Sequence, residues 1–221
     1  MRLSPPAPSR SSPWAWIEQT TPGGVVLTDL KPAPGADNLV RLTRTATNRA
    51  EGRFDATYAA FMDLRPQPRH SPAGFRVERD RDQAERGTTN LDPHTPWSSL
   101  LVWFLASFDL GGEIAYGYTI PDGGALPAHS NNAPTASWIA TSDGSWAETT
   151  LADQNGRHDV AEGGPRRLWR LVEKAHRTWI ELGQPGWDRF GLTVTPGVHT
   201  VWLDQPDSEH TWQLNHPCWP E

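Results

Sequence analysis

The chain has 221 residues, with 20 Lys and Arg against 26 Asp and Glu and a formal net charge of −6. This acidic balance lacks the basic surface that nucleic acids and anionic membranes attract, which argues against both as partners. The one cysteine, Cys218, excludes an intrachain disulfide, which is typical of a cytoplasmic protein. No apolar run approaches the roughly 20 residues that span a bilayer.

The chain is rich in residues that form turns, with 19 glycines and 21 prolines. This composition predicts short elements joined by turns. Changes in composition along the chain predict four parts. They are a disordered lead (1–12), a first structured segment (13–65), a linker or solvated arm (66–96) and a C-terminal α+β domain (97–221).

The first structured segment begins with a short predicted helix over 13–19, because Pro13 suits the first helical position. Two strands are predicted at 25–30 and 39–44, joined by a loop rich in Pro, Gly and Asp, and we expect them to pair antiparallel. We expect an unpaired sheet edge near Val25, and such an edge recruits partners.

The C-terminal part mixes helices and strands. A buried helix is predicted over 97–108, and strands are predicted at 113–120, 137–141 and 146–151. Apolar residues at 3.6-residue spacing predict the longest helix over 165–182. A hairpin over 190–204 follows, with its turn at Pro196-Gly197. Antiparallel hairpins without a regular βαβ rhythm predict an α+β fold.

Trp187, Asp188 and Arg189 are the candidate substrate-binding residues. They follow a Pro-Gly turn, where a charge pair beside an indole could line a binding cleft. The structural alternative is a local ion pair that closes the turn. No catalytic, cofactor-binding or metal-binding residue is predicted, because the nucleotide-binding glycine loop and the common hydrolase and metalloenzyme motifs are missing from the sequence.

Other candidates have favoured structural interpretations. His210, His216 and Cys218 are zinc-ligand types, but their spacing matches no known zinc pattern, so a terminal loop is favoured. Trp138 and Trp146 lie on the two arms of a predicted hairpin. They either pack across the strands or form a platform on which a sugar or peptide ring stacks, and packing is favoured.

Residues 13–31 and 38–44 resemble the end of the catalytic domain of protein-L-isoaspartate O-methyltransferases. Glu18-Gln19, Pro22-Gly23-Gly24 and the two predicted strands match the helix ending, the turn and the returning strand of that family. The blocks at 51–62 and 162–204 resemble the C-terminal extension of actinobacterial members, some of which methylate aspartate in peptides of the lanthipeptide kind.

This resemblance implies a part that recognises a peptide or protein substrate and works with a separate methyltransferase half. The family's S-adenosylmethionine site and catalytic serine loop lie upstream of the matched region. Residues 13–65 are therefore interpreted as a remnant of the final sheet edge, and no cofactor is expected to bind this chain. Two alternatives stay open: a free-standing Trp-rich module that binds carbohydrate or peptide, and an inactive gene remnant.

Overall fold

The computed structural model describes residues 14–60, 77–111, 113–120, 133–153 and 155–215. The helices are α1 (Trp14–Glu18), α2 (Thr95–Ser98), α3 (Leu100–Leu110) and α4 (Leu168–Glu181), with a 3-10 turn at Trp187–Arg189. The strands are β1 (Val25–Ala33), β2 (Ala36–Ala46), β3 (Arg49–Phe54), β4 (Glu85–Thr89), β5 (Ile114–Thr119), β6 (Ala136–Thr141), β7 (Trp146–Thr150), β8 (His158–Gly163), β9 (Phe190–Val194), β10 (Val198–Leu203) and β11 (Thr211–Asn215). The predicted α+β fold with antiparallel hairpins is confirmed.

The chain divides into two compact units. The first comprises residues 1–66 and 179–221, and its sheet has the order β1-β2-β3-β9-β10-β11, antiparallel throughout. Residues directly opposite each other in the pairing share a face. The core face therefore carries apolar residues from successive strands, among them Val40, Phe54, Phe190 and Leu203. The edge strands of this sheet are β1 and β11, and β1 is the edge expected near Val25.

The second unit comprises residues 67–178, and its sheet has the antiparallel order β4-β8-β7-β6-β5. The helix α3 is buried along most of its length, including Trp103 and Phe104, which explains why its sequence is apolar all round. The helix α4 is amphipathic and buries Leu168, Trp169 and Val172. None of the described helices has the length and apolar character needed to cross a membrane.

The boundaries of the two units differ from the domain boundaries that the composition predicts. The expected arm over 66–96 contains β4, and residues 179–221 belong to the first unit rather than to a domain over 97–221. The reason is that β9 pairs with β3, which joins distant parts of the chain in one sheet. Two strands of the expected sheet remnant, β1 and β2, are thus part of a six-stranded sheet. The predicted lead over 1–12 lies outside the described residues.

Candidate functional site

A cleft of about 140 Å³ lies between the edge strand β4 and the first turns of α4. Its lining residues come from three elements: Glu85, Arg86, Gly87 and Thr88 of β4, Val160 and Glu162 of β8, and Trp169, Arg170 and Glu173 of α4. We call this space the Glu162 cleft. Three of its lining residues are acidic, and two, Arg86 and Arg170, are basic.

The strand pairing explains why these side chains meet. Glu85 lies directly opposite Glu162, and Gly87 lies directly opposite Val160, so all four residues share one face of the sheet. An ideal Cβ atom built on Gly87 has no atom within 4 Å. The glycine therefore leaves open space on the cleft face of β4.

Glu162 is the most buried charged residue of the cleft, with 5% of its surface exposed. The backbone N–H of Trp169, in the first turn of α4, donates a 2.6 Å hydrogen bond to its Oε1 atom. This bond satisfies one of the free amide groups at the helix start, where a negative charge is favourable. The sequence places Glu162 inward because it lies two positions after the buried Val160 and therefore on the same face of the strand.

Glu162 lacks a close ion pair. The nearest guanidinium atom recorded is Nε of Arg170, 3.9 Å from Oε2. Burial raises the pKa of Glu162, and the hydrogen bond from Trp169 and the charges of Arg170 and Arg167 only partly oppose this rise. The side chain is thus a buried carboxyl group whose negative charge is incompletely balanced.

The two neighbouring arginines are directed to Glu85 instead. Arg167 donates from Nε to Glu85 at 2.7 Å, and Arg170 contacts the other carboxylate oxygen of Glu85. The hydrogen bond from Arg167 is the largest influence on Glu85 and holds its pKa below the usual value. On the opposite wall, Glu173 accepts a 2.5 Å hydrogen bond from the Thr89 hydroxyl. The closest hydrogen-bond donors of Glu162 and Glu173 are thus a backbone N–H and a hydroxyl, whereas both arginines are directed to Glu85.

The predicted substrate-binding residues form a braced turn in the first unit. Trp187 is buried and packs against Phe54, with ring centres 5.7 Å apart. Arg189 makes a two-pronged ion pair with Asp204, at 2.9 and 2.7 Å. The guanidinium group of Arg53 donates to the backbone carbonyls of Asp188 and Arg189. These contacts hold the turn in place. The ion pair that closes the turn joins Arg189 to Asp204.

The two hairpin tryptophans are not directly opposite each other. Trp138 lies opposite Glu148, and Trp146 lies opposite Ala140 and Gly163. Trp146 is 3% exposed, so it offers no open platform for a ligand. Trp138 is partly exposed, and the guanidinium group of Arg79 sits 5.0 Å above its ring.

The candidate zinc ligands fall at the end of the chain. His210 occupies an exposed loop, and His216 and Cys218 lie outside the described residues. Within the part of the chain that the structure describes, no group of three or more His, Cys, Asp or Glu residues could hold a metal ion.

Sequence reasoning also missed an aromatic cluster in the second unit. Trp97 stacks on Tyr118, with ring centres 4.2 Å apart and planes 14° apart. The Tyr118 hydroxyl lies 2.7 Å from Nδ1 of His94. Trp97 and Tyr118 are both half-buried, so part of the stacked pair faces solvent. The alternation of Tyr116, Gly117 and Tyr118 along β5 was the signal that could have shown an aromatic face.

Comparison with known proteins identified no relative. No family model matches the chain, and neither the curated proteins nor the solved structures contain a match. The resemblance to isoaspartate methyltransferases therefore stays a prediction, and the function must be inferred from the geometry of this chain.

Proposed function

We propose that this protein is a binding module whose Glu162 cleft recognises an amine or guanidinium group, as carried by a Lys or Arg side chain of a partner polypeptide. The observation that carries the proposal is the position of Glu162. It lines a cleft and is almost fully buried, yet its closest recorded guanidinium contact is 3.9 Å away.

The physical reason is the free energy of burying a charge. A buried carboxylate without close positive partners is unfavourable, and its proton affinity rises until a compensating charge arrives. A ligand cation in the cleft would stabilise the ionised form of Glu162. Glu173, on the opposite wall, would add a second carboxylate within the same small space.

The size of the cleft favours a side-chain head group. Its volume of about 140 Å³ is below the roughly 300 Å³ at which pockets for small-molecule ligands typically begin. Charged groups dominate the walls, and a charge-assisted hydrogen bond to a carboxylate is among the strongest that a protein makes. This combination suits the tip of a long basic side chain.

The test is calorimetry with N-acetylarginine amide, N-acetyllysine amide and the uncharged N-acetylglutamine amide. We expect the two cationic compounds to bind at least tenfold more tightly than the glutamine compound. Glu162→Gln should remove this preference, because the amide oxygen still accepts the bond from Trp169 while the negative charge is lost. Glu113→Gln, an exposed carboxyl outside the cleft, serves as the matched control.

Two results would overturn the proposal. One is equal binding of the charged and uncharged compounds, which includes the absence of binding by all three. The other is an unchanged preference in Glu162→Gln, because the cation would then be held elsewhere.

The methyltransferase resemblance leads to a narrower version, in which the cleft reads a peptide substrate for a separate methyltransferase half in the cytoplasm. What supports it is the shared ligand class, since both hypotheses require a polypeptide. We expect no binding of S-adenosylmethionine to this chain alone by calorimetry. Methylation of a peptide should arise only when the other half is co-expressed, and binding of the methyl donor by the isolated chain would contradict this version.

A stacking site for carbohydrate is the second candidate function, favoured by the half-buried Trp97 and Tyr118 pair. Aromatic faces bind sugar rings through their apolar side. Tryptophan fluorescence should then respond to a glycan panel in the wild type and lose that response in Trp97→Ala. A panel without any response would exclude this candidate.

A further inference from the structure

Resting on the proposed function, we infer that the cation reaches the Glu162 cleft on an extended polypeptide strand that pairs with the β4 edge. The partner would form a sixth strand of the second unit's sheet, and its Lys or Arg side chain would enter the cleft. Strand addition is an established mode of peptide recognition, in which backbone bonds supply affinity and pockets beside the strand supply specificity.

The β4 edge is available for such pairing. Among the described strands, β4 pairs with β8 and with no other. Four of its five residues, from Glu85 to Thr88, are exposed, and only Thr89 is buried. An edge strand presents unpaired N–H and C=O groups along its outer side, which form a template for another chain.

The cleft lies where a partner side chain would arrive. In an antiparallel pair, residues directly opposite each other point to the same face of the sheet. A partner residue opposite Gly87 would therefore point to the cleft face, where Gly87 itself has no side chain and leaves open space. From there, a basic side chain is directed into the space between Glu162 of β8 and Glu173 of α4.

The charges of the edge decide which strand pairs. Glu85 and Arg86 occupy two of the four exposed positions of β4. Charged residues on an edge discourage pairing with an apolar strand, so they reduce aggregation while leaving a complementary polar strand free to bind. The cleft then selects a strand with a basic residue opposite Gly87.

The first experiment compares a capped peptide, acetyl-Thr-Val-Thr-Arg-Thr-Val-Thr-amide, with N-acetylarginine amide by calorimetry. We expect the peptide to bind at least tenfold more tightly, because backbone pairing adds to the cation contact. Two further peptides carry N-methyl groups on alternate amides, one set per peptide. In a strand pair, only every second amide N–H of the peptide faces β4. The peptide methylated at those amides should lose the gain in affinity over N-acetylarginine amide, and the other peptide should keep it.

The second experiment fills the open space. Gly87→Val has room for its side chain, so the fold should tolerate the change while the cleft face of β4 is blocked. Binding of the arginine peptide should fall at least tenfold. Ala161→Val, a half-exposed position of β8 that lies on the other face of the sheet and does not line the cleft, is the matched control and should bind as the wild type does.

The outcomes separate the two levels of the proposal. If N-acetylarginine amide binds through Glu162 but the peptide binds no more tightly, strand addition is overturned and the cation site stands. If both methylated peptides keep the gain, or Gly87→Val binds normally, strand addition is also overturned. If neither the amide nor the peptide binds, the proposed function itself fails.

Discussion

The two faces of the five-stranded sheet carry two glutamates, one buried and one half-buried, with different surroundings. Glu148 and Glu162 sit on the neighbouring strands β7 and β8, and the register places them on opposite faces. Their side chains are similarly buried, with 13% and 6% exposed. Glu148 accepts two hydrogen bonds of 2.8 Å from Arg81, one of 3.1 Å from Arg79 and one of 3.0 Å from Thr119. Glu162 instead interacts with the backbone N–H groups of Trp169 and Arg170, and the guanidinium Nε of Arg170 lies 3.9 Å from its Oε2.

The pKa values of the two groups move in opposite directions. Burial acts to raise the pKa of Glu148, but the bonds from Arg81 and Thr119 and the nearby positive charges outweigh it, so the net shift is downward. For Glu162, burial prevails and the net shift is upward. Burial alone therefore does not indicate a ligand site. A buried charge that its own protein leaves incompletely balanced, beside open space, is the informative feature.

The face that carries Glu148 also shows a motif that recurs in the first unit. Arg79 sits 5.0 Å above the ring of Trp138, and Arg53 sits 5.1 Å above the ring of Trp202. Each tryptophan lies opposite a glycine of the neighbouring strand, and its ring covers the space where a side chain would be. Because the motif occurs in both units, we interpret the Arg79 and Trp138 pair as structural.

The largest expected effect comes from removing the balanced carboxylate. Glu148→Ala leaves the half-buried Arg79 without its acidic partner, and breaking such a partly buried pair should lower the free energy of unfolding by about 2–3 kcal/mol. Urea unfolding followed by tryptophan fluorescence measures the loss. Glu113→Ala, at an exposed position, is the control. A loss as small as the control's would show that Glu148 does not anchor this face.

Two glycine substitutions sharpen the contrast between a filled and an open face. In Gly117→Val the new Cβ would lie 2.9 Å from the Trp138 ring, so overpacking should cost about 1–3 kcal/mol. In Gly87→Val no atom lies within 4 Å, and valine suits a strand. We expect unchanged or slightly increased stability there. The urea midpoint measures the stability of both variants. If Gly87→Val loses as much stability as Gly117→Val, the space beside Gly87 is not open.

The pH dependence of stability should differ in sign between the two glutamates. A raised folded pKa means that the stabilisation due to Glu162 is complete below the ordinary value near 4.5 and is lost as the pH rises through the folded pKa. Glu162→Gln should remove this loss, which is on the order of 1 kcal/mol. The stabilisation due to Glu148 is instead complete above the ordinary value and is lost as the pH falls through the lowered folded pKa.

The measurement is the urea midpoint of Glu162→Gln and Glu148→Gln between about pH 4 and pH 8, each relative to the wild type. As the pH rises, the urea midpoint of Glu162→Gln should increase relative to that of the wild type. For Glu148→Gln, measured down to about pH 3 as well, the loss of stability relative to wild type should be constant above the ordinary value near 4.5 and should shrink as the pH falls below it. Parallel curves for the two variants would show that the surroundings of the carboxyl groups are equivalent.

The smallest expected effect concerns Glu85, which is exposed. Glu85→Gln should leave the urea midpoint unchanged, because exposed ion pairs contribute little to stability. The change weakens the hold on Arg170, which can then approach Glu162. We expect a few-fold weaker binding of N-acetylarginine amide by calorimetry. Tighter binding would show that Arg170 does not compete with the ligand cation.

The local patterns of the sequence predicted much of the secondary structure. The 3.6-residue spacing located α4, although the helix begins at Leu168, three residues after the predicted start at Pro165. Turn residues located the hairpins β6–β7 and β9–β10. The strand β4 was not predicted because none of its five residues has an apolar side chain. The alternation of apolar and polar residues that indicates a strand is therefore missing from it.

What the sequence determined by itself is the local order of the chain: amphipathic periods and turn residues act over a few positions, and they specify the hairpins, the long helix and the α+β class. The tertiary structure decided the rest. It joined β3 to β9, and it brought Arg167 to Glu85 across 82 positions of the chain. The charge balance of Glu162 depends on such distant pairings, because only the folded chain determines which arginine reaches which carboxylate.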